Sequence, residues 1–142
     1  MGGRELSVSD YPLAEKRPKL IEGRRGKRLD EITLDAVIAG EVALEDLRIT
    51  PAALRLQAQI SRAAGRPMLA DNFERAAELV DVPQDFIMQV YELLRPGRAK
   101  DKTPLIEAAR KLRADYKAER MARFVEEAAE VYERRGLFTY RF

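Results

Sequence analysis

The chain contains neither cysteine nor histidine in its 142 residues. That double absence excludes disulfide frameworks, thiol nucleophiles, the usual zinc ligand sets, imidazole acid–base catalysis and Ser-His-Asp triads. Long hydrophobic runs are missing too. No apolar stretch approaches the roughly 20 residues needed to cross a bilayer, and the opening MGGRELSVSD has no apolar centre of a signal peptide. The compartment expected is therefore the cytoplasm, with no membrane partner. No segment alternates apolar and polar residues with period two over a useful length, so no sheet is expected. Neither GxxxxGK[ST] nor GxGxxG occurs, and Gly23-Arg24-Arg25-Gly26-Lys27 has no strand before it and reads as linker.

What is present suits a helical protein. Hydrophobic residues make up 46% and charged residues 35%, enough of each for a soluble chain with a buried core. Net charge is only +2, but positive charge is concentrated: residues 16–28 hold seven cations against the single carboxylate of Glu22. Such a run reads either as a contact for nucleic acid or an acidic protein, or as a solvated arm. The second reading fits better, because no aromatic stacking residue or groove-reading helix accompanies it.

Helix starts and stops can be placed along the chain. Thr33 caps a short helix that Gly40 closes, a turn runs from Ala43 to Leu47, and Thr50-Pro51 opens a helix that stops at Gly65. Pro67 opens the next, with Leu69, Phe73, Ala76, Ala77 and Val80 on one face. Pro83 opens another, with Phe86, Ile87, Val90, Tyr91 and Leu94 inward, ended by Arg95-Pro96-Gly97. From Thr103 as N-cap and Pro104 at the first helical position, apolar residues recur at helical spacing through Tyr132 with no Gly or Pro before Gly136. The spacing predicts one rod of roughly 48 Å, too long for a globule of radius of gyration about 14 Å to hide. Its weak point is the five-residue step between Tyr116 and Met121, which allows a break near Ala118.

The expected architecture is all-α: several short helices plus one long C-terminal helix, and an extended N-terminal arm. Residues 1–28 form the basic arm and residues 29–142 the helical domain. Apolar side chains in polar surroundings mark candidate contact points: Tyr11, Pro12 and Leu13 in the arm, Phe124 and Tyr132 on the long helix, and Phe138 and Tyr140 in the tail GLFTYRF. Carboxylates such as Glu126, Glu127, Glu130 and Glu133 lie beside Arg123, Arg134 and Arg135, the spacing of a solvated helix face. No catalytic, cofactor-binding or metal-ligating residue is predicted. The residues alone imply a helical protein that binds another macromolecule, either a free-standing adaptor or a basic nucleic-acid-binding protein.

Five stretches narrow this. SDYPLAEKRP at 9–18, LDEITLDAVIAGEVALEDLRITPAALRLQAQI at 29–60, NFERAAELVDVP at 72–83, YELLRP at 91–96 and FVEEAAEVYERRG at 124–136 resemble, in order and spacing, the small (gamma) subunit of coenzyme B12-dependent diol and glycerol dehydratases. The resemblance implies a complex of large, medium and small subunits, two of each, that converts propane-1,2-diol or glycerol to an aldehyde and water by radical dehydration. It implies a TIM-barrel large subunit holding substrate and a potassium or calcium ion, with adenosylcobalamin between the large and medium subunits. The small subunit then stabilises and assembles the large one, binds no cofactor alone and does not bind nucleic acid. Some members carry an amphipathic N-terminal extension associated with bacterial microcompartments; here SDYPLA lies near the first residue, so the expectation is the cytoplasm or the interior of a microcompartment, with another subunit carrying the packaging signal in the second case.

Overall fold

The computed structural model describes residues 4–138. They form two units, one ending at Val80 and the other starting at Asp81. No strand occurs among the described residues, only an isolated bridge between Glu22 and Arg28. The all-α expectation holds.

The first unit begins with 3-10 turns at Val8–Asp10, Pro18–Leu20 and Leu29–Glu31 interleaved with short helices α1 (Leu13–Lys16), α2 (Leu34–Ile38) and α3 (Leu44–Leu47), and ends in a hairpin of α4 (Pro51–Ala63) and α5 (Pro67–Leu79). Local chemistry sets these boundaries. Thr33 Oγ1 accepts the Ala36 N–H at 3.2 Å and Thr50 Oγ1 accepts the Ala53 N–H at 3.1 Å, each satisfying an orphan donor at a helix start. Between α4 and α5, Gly65 adopts φ +71°, which a side chain would disfavour. The hairpin seam is built from alanines: Ala58 and Ala70 are fully buried and Ala77 nearly so. Below the seam, Leu6 and Leu13 pack with Ile60, backed by Ile21 and Leu56. The Leu6 N–H donates to Gln59 Oε1 at 3.1 Å, tying the first residues of the arm to α4.

The second unit consists of α6 (Gln84–Leu94), α7 (Thr103–Tyr116) and α8 (Glu119–Arg134). The rod predicted over residues 103–136 is thus two helices, divided where Lys117 takes a left-handed φ of 55° and Ala118 leaves the helix. Lys102 pairs with Glu133 at 3.0 Å, joining the start of α7 to the end of α8, so the chain folds back on itself as an antiparallel hairpin. The apolar stripe that looked too long for one globule therefore covers itself. Leu105, Ala109 and Leu112 of α7 meet Ala118, Ala122, Val125 and Ala129, all essentially inaccessible. Arg113 clamps the hairpin, donating to Glu119 at 2.7 Å and to Glu126 at 2.8 Å. These hydrogen bonds hold the Glu119 and Glu126 carboxyls below their usual range.

Two further expectations shift. Thr103 is inside α7 rather than its cap; its own N–H donates to the Asp101 carboxylate at 2.8 Å, so Asp101 provides the first-turn acceptor. On α6, Phe86 and Val90 are buried as expected, but Tyr91 is exposed. Phe86 instead stacks on Tyr116 with centroids 5.8 Å apart, under the Lys111 ammonium at 4.6 Å. Gly136, at φ +65°, ends α8 as expected, with the Leu137 N–H reaching back to the Tyr132 carbonyl.

Candidate partner interface

The most conspicuous surface lies in the first unit, between residues 29 and 49. Leu34 and Ile38 are each 75% exposed, Leu44 70% and Leu47 61%; Leu29, Val37 and Ile49 are exposed as well. The lengths of the elements explain this. A helix of five residues, α2, and one of four, α3, make little more than one turn each and have no second turn to bury. No residue of α2 is buried at all. A contiguous run of large aliphatics left in water is what an interaction surface looks like before it is covered.

The segment is held in place by charge rather than by a core. The Asp46 side chain is wholly buried, and the Arg25 guanidinium grips it with two nitrogens, Nε at 2.8 Å from Oδ1 and Nη2 against Oδ2. The Ala43 N–H donates to the same carboxylate at 2.8 Å, capping α3. The hydrogen bond from Arg25, helped by that from Ala43, draws the Asp46 carboxyl down to about 2 against the cost of its burial. Gly23 lies so close that a Cβ there would come within 2.6 Å of the Asp46 carbonyl oxygen. A similar arrangement recurs at Asp10, also buried, whose carboxylate accepts the Ser7 N–H at 2.9 Å and Arg17 Nε at 2.6 Å. The bond from Ser7, then that from Arg17, lower its pKa.

These pairs account for part of the basic run. Arg17 and Arg25 serve internal carboxylates and Arg28 pairs with Asp30 at 3.1 Å, which counts against a continuous phosphate-binding stripe.

The contact residues predicted from sequence fall in different settings. Tyr11 is exposed, Pro12 half-buried behind a cis peptide bond, and Leu13 buried in the unit's core. All three line an open groove of about 480 Å³ with Leu29, Leu47 and Ile49, so the structure brings the arm's apolar triplet to the edge of the 29–49 face. In the second unit, Phe124 is exposed on α8. Tyr132 donates from its hydroxyl to the Leu94 carbonyl at 2.6 Å and meets Phe138 edge-on at 6.1 Å. Tyr140 lies outside the described residues. Sequence reasoning missed Leu34, Ile38, Leu44 and Leu47 as surface residues. The available signal was the spacing of Thr33, Gly40 and Thr50, which leaves only one-turn helices between them.

Among the described residues no three carboxylates converge as a metal site, and histidine and cysteine are absent from the sequence. No helix among them is long and apolar enough to cross a membrane.

Comparison with known proteins agrees with the stretches quoted above. The family profile described as dehydratase small subunit matches residues 6–139. The propanediol dehydratase small subunit of Salmonella typhimurium is 49% identical over 129 residues, covering 91% of this chain and 74% of the relative. That of Citrobacter freundii is 49% identical over 125 residues, covering 88% of this chain and 72% of the relative. A profile match over nearly the whole length, with identity at this level, leaves one assignment: the chain belongs to the dehydratase small subunit family.

Proposed function

We propose that this protein is the small subunit of a coenzyme B12-dependent propanediol-type dehydratase and that its work is assembly rather than chemistry. The reaction proposed for the complex is the radical dehydration of propane-1,2-diol or glycerol to an aldehyde and water. Bound adenosylcobalamin supplies the radical step elsewhere in the complex. Among the described residues no three metal-ligating side chains come together, and no chemical step is routed through this chain. The partners proposed are a TIM-barrel large subunit and a medium subunit, two copies of each, which would hold the cofactor and a potassium or calcium ion.

The observation that carries this reading is a surplus of exposed aliphatic surface on a member of a small-subunit family, centred on Leu34 and Ile38. A protein that binds only the native large subunit stabilises it by mass action, and that is the role assigned here. Tyr11 and Phe124, both exposed, are proposed as further contacts. The test is to produce the large and medium subunits of the same organism with and without this chain. The expected result is that all three copurify and that soluble, cobalamin-dependent diol dehydration falls when this chain is omitted. Full activity and yield of the two larger subunits without it would refute the proposal. The cytoplasm is proposed as the compartment, with microcompartment packaging decided by fractionation.

A further inference from the structure

We propose that residues 29–49 are a preformed docking element for a neighbouring dehydratase subunit whose complementary surface is apolar at its centre and lined by lysine and arginine at its margin. This rests on the subunit role proposed above and adds the surface, its partner's chemistry and the device that holds it ready.

Charge identifies the occupant. The segment carries six carboxylates, Asp30, Glu31, Asp35, Glu41, Glu45 and Asp46, against one cation, Arg48. Four are satisfied within the chain: Asp46 by Arg25, Asp30 and Glu31 by Arg28, and Glu45 by Arg48. Asp35 and Glu41 are exposed beside Leu34, Val37 and Ile38 and have no ion-pair partner among the described residues. Pairing this face with itself across a two-fold axis would set like charges together around the apolar centre. A second copy is therefore the wrong occupant, and a cationic margin is the right one.

Readiness comes from the buried ion pair. Arg25 and Asp46 close a loop whose far part is α2, and Arg25 Nη2 also donates to the Glu41 carbonyl at 3.3 Å. Since α2 has no buried residue, this clasp, and not core packing, fixes where its aliphatics point. A surface ordered in advance loses less conformational freedom on binding.

The test uses the full chain and the large and medium subunits of the same organism, with association and dissociation rates measured at low salt and at about 0.5 M salt. Wild type is expected to bind. The double variant Asp35→Lys/Glu41→Lys is expected to keep its helical content and to associate about tenfold more slowly at low salt, the gap closing at high salt. Arg25→Met, which leaves the surface residues intact, is expected to weaken binding at both salts. Unchanged or faster association of Asp35→Lys/Glu41→Lys would overturn the cationic margin, and wild-type affinity of Arg25→Met would overturn the clasp. A wild-type chain that dimerises through this face, abolished by the double variant, would replace the partner subunit by a second copy. Failure of wild type to bind either larger subunit would instead remove the subunit role itself.

Discussion

Replacing Lys117 by glycine separates the hairpin from the continuous rod by the sign of its effect. Lys117 has φ 55° between α7 and α8. A left-handed conformation costs a residue with a Cβ about 1–2 kcal/mol, and glycine removes that cost while adding about 0.5–1 kcal/mol of unfolded-state entropy to be lost. The net expectation is a gain of about 0.5–1 kcal/mol. In a straight helix over residues 103–136, the same substitution would lie mid-helix and lose about 1 kcal/mol. Urea unfolding followed by far-ultraviolet circular dichroism reads the difference, provided the slope with denaturant is unchanged. A loss of stability in Lys117→Gly would refute the hairpin; Lys117→Ala, expected to be near neutral because both residues carry a Cβ, controls for the lost side chain.

Other outcomes follow from the same packing and charge. Leu112 is 1% exposed in the α7–α8 seam, so Leu112→Ala should cost about 2–5 kcal/mol, against less than about 0.5 kcal/mol for the exposed Met88→Ala, both read by denaturant midpoint. The Asp46 carboxyl is held at about 2 in the folded chain, below its ordinary 3.8, chiefly by the hydrogen bond from Arg25. Its contribution is therefore present at neutral pH, begins to fade as pH falls below about 4 and is gone below about 2. Protection of the residue 41–48 amides against hydrogen exchange, taken relative to the unfolded-chain rate at each pH, should fall over that window in wild type, while Asp46→Asn should be weakly protected throughout. Equal protection in the two proteins at pH 6 would contradict the clasp.

How far the fold could be read from the residues depended on local punctuation. Thr33, Thr50, Pro67, Gly65 and Gly136 act within one turn of the backbone, and the helix ends they mark lie where expected. The break at Lys117 has no such mark: neither Gly nor Pro occurs there, and only the five-residue gap between Tyr116 and Met121 records that the stripe changes face. What bends the chain is tertiary, the burial of Ala118, Ala122 and Ala129 against α7, which overrides the helical preference of the intervening residues. Likewise the basic run could not be divided by composition into internal and external charge. Asp10 and Asp46 receive Arg17 and Arg25 across distances in sequence that only folding brings together. Leu34, Ile38, Leu44 and Leu47 are plainly apolar in the sequence, but their exposure is not written there, since burial belongs to the assembled unit. Resemblance to a family carried the assignment beyond where side-chain chemistry stopped, because a binding surface has no reactive constellation to announce it.

The central claim is that this chain acts by docking its exposed aliphatic face on a larger dehydratase subunit. Ile38→Asp tests it most directly, because Ile38 is 75% exposed and α2 has no buried residue. Full burial of an isoleucine is worth about 1.5–3 kcal/mol, and placing a carboxylate there costs more. The account predicts that the variant unfolds at the wild-type urea concentration yet no longer copurifies with the large and medium subunits. Undiminished copurification of a folded Ile38→Asp chain would contradict it.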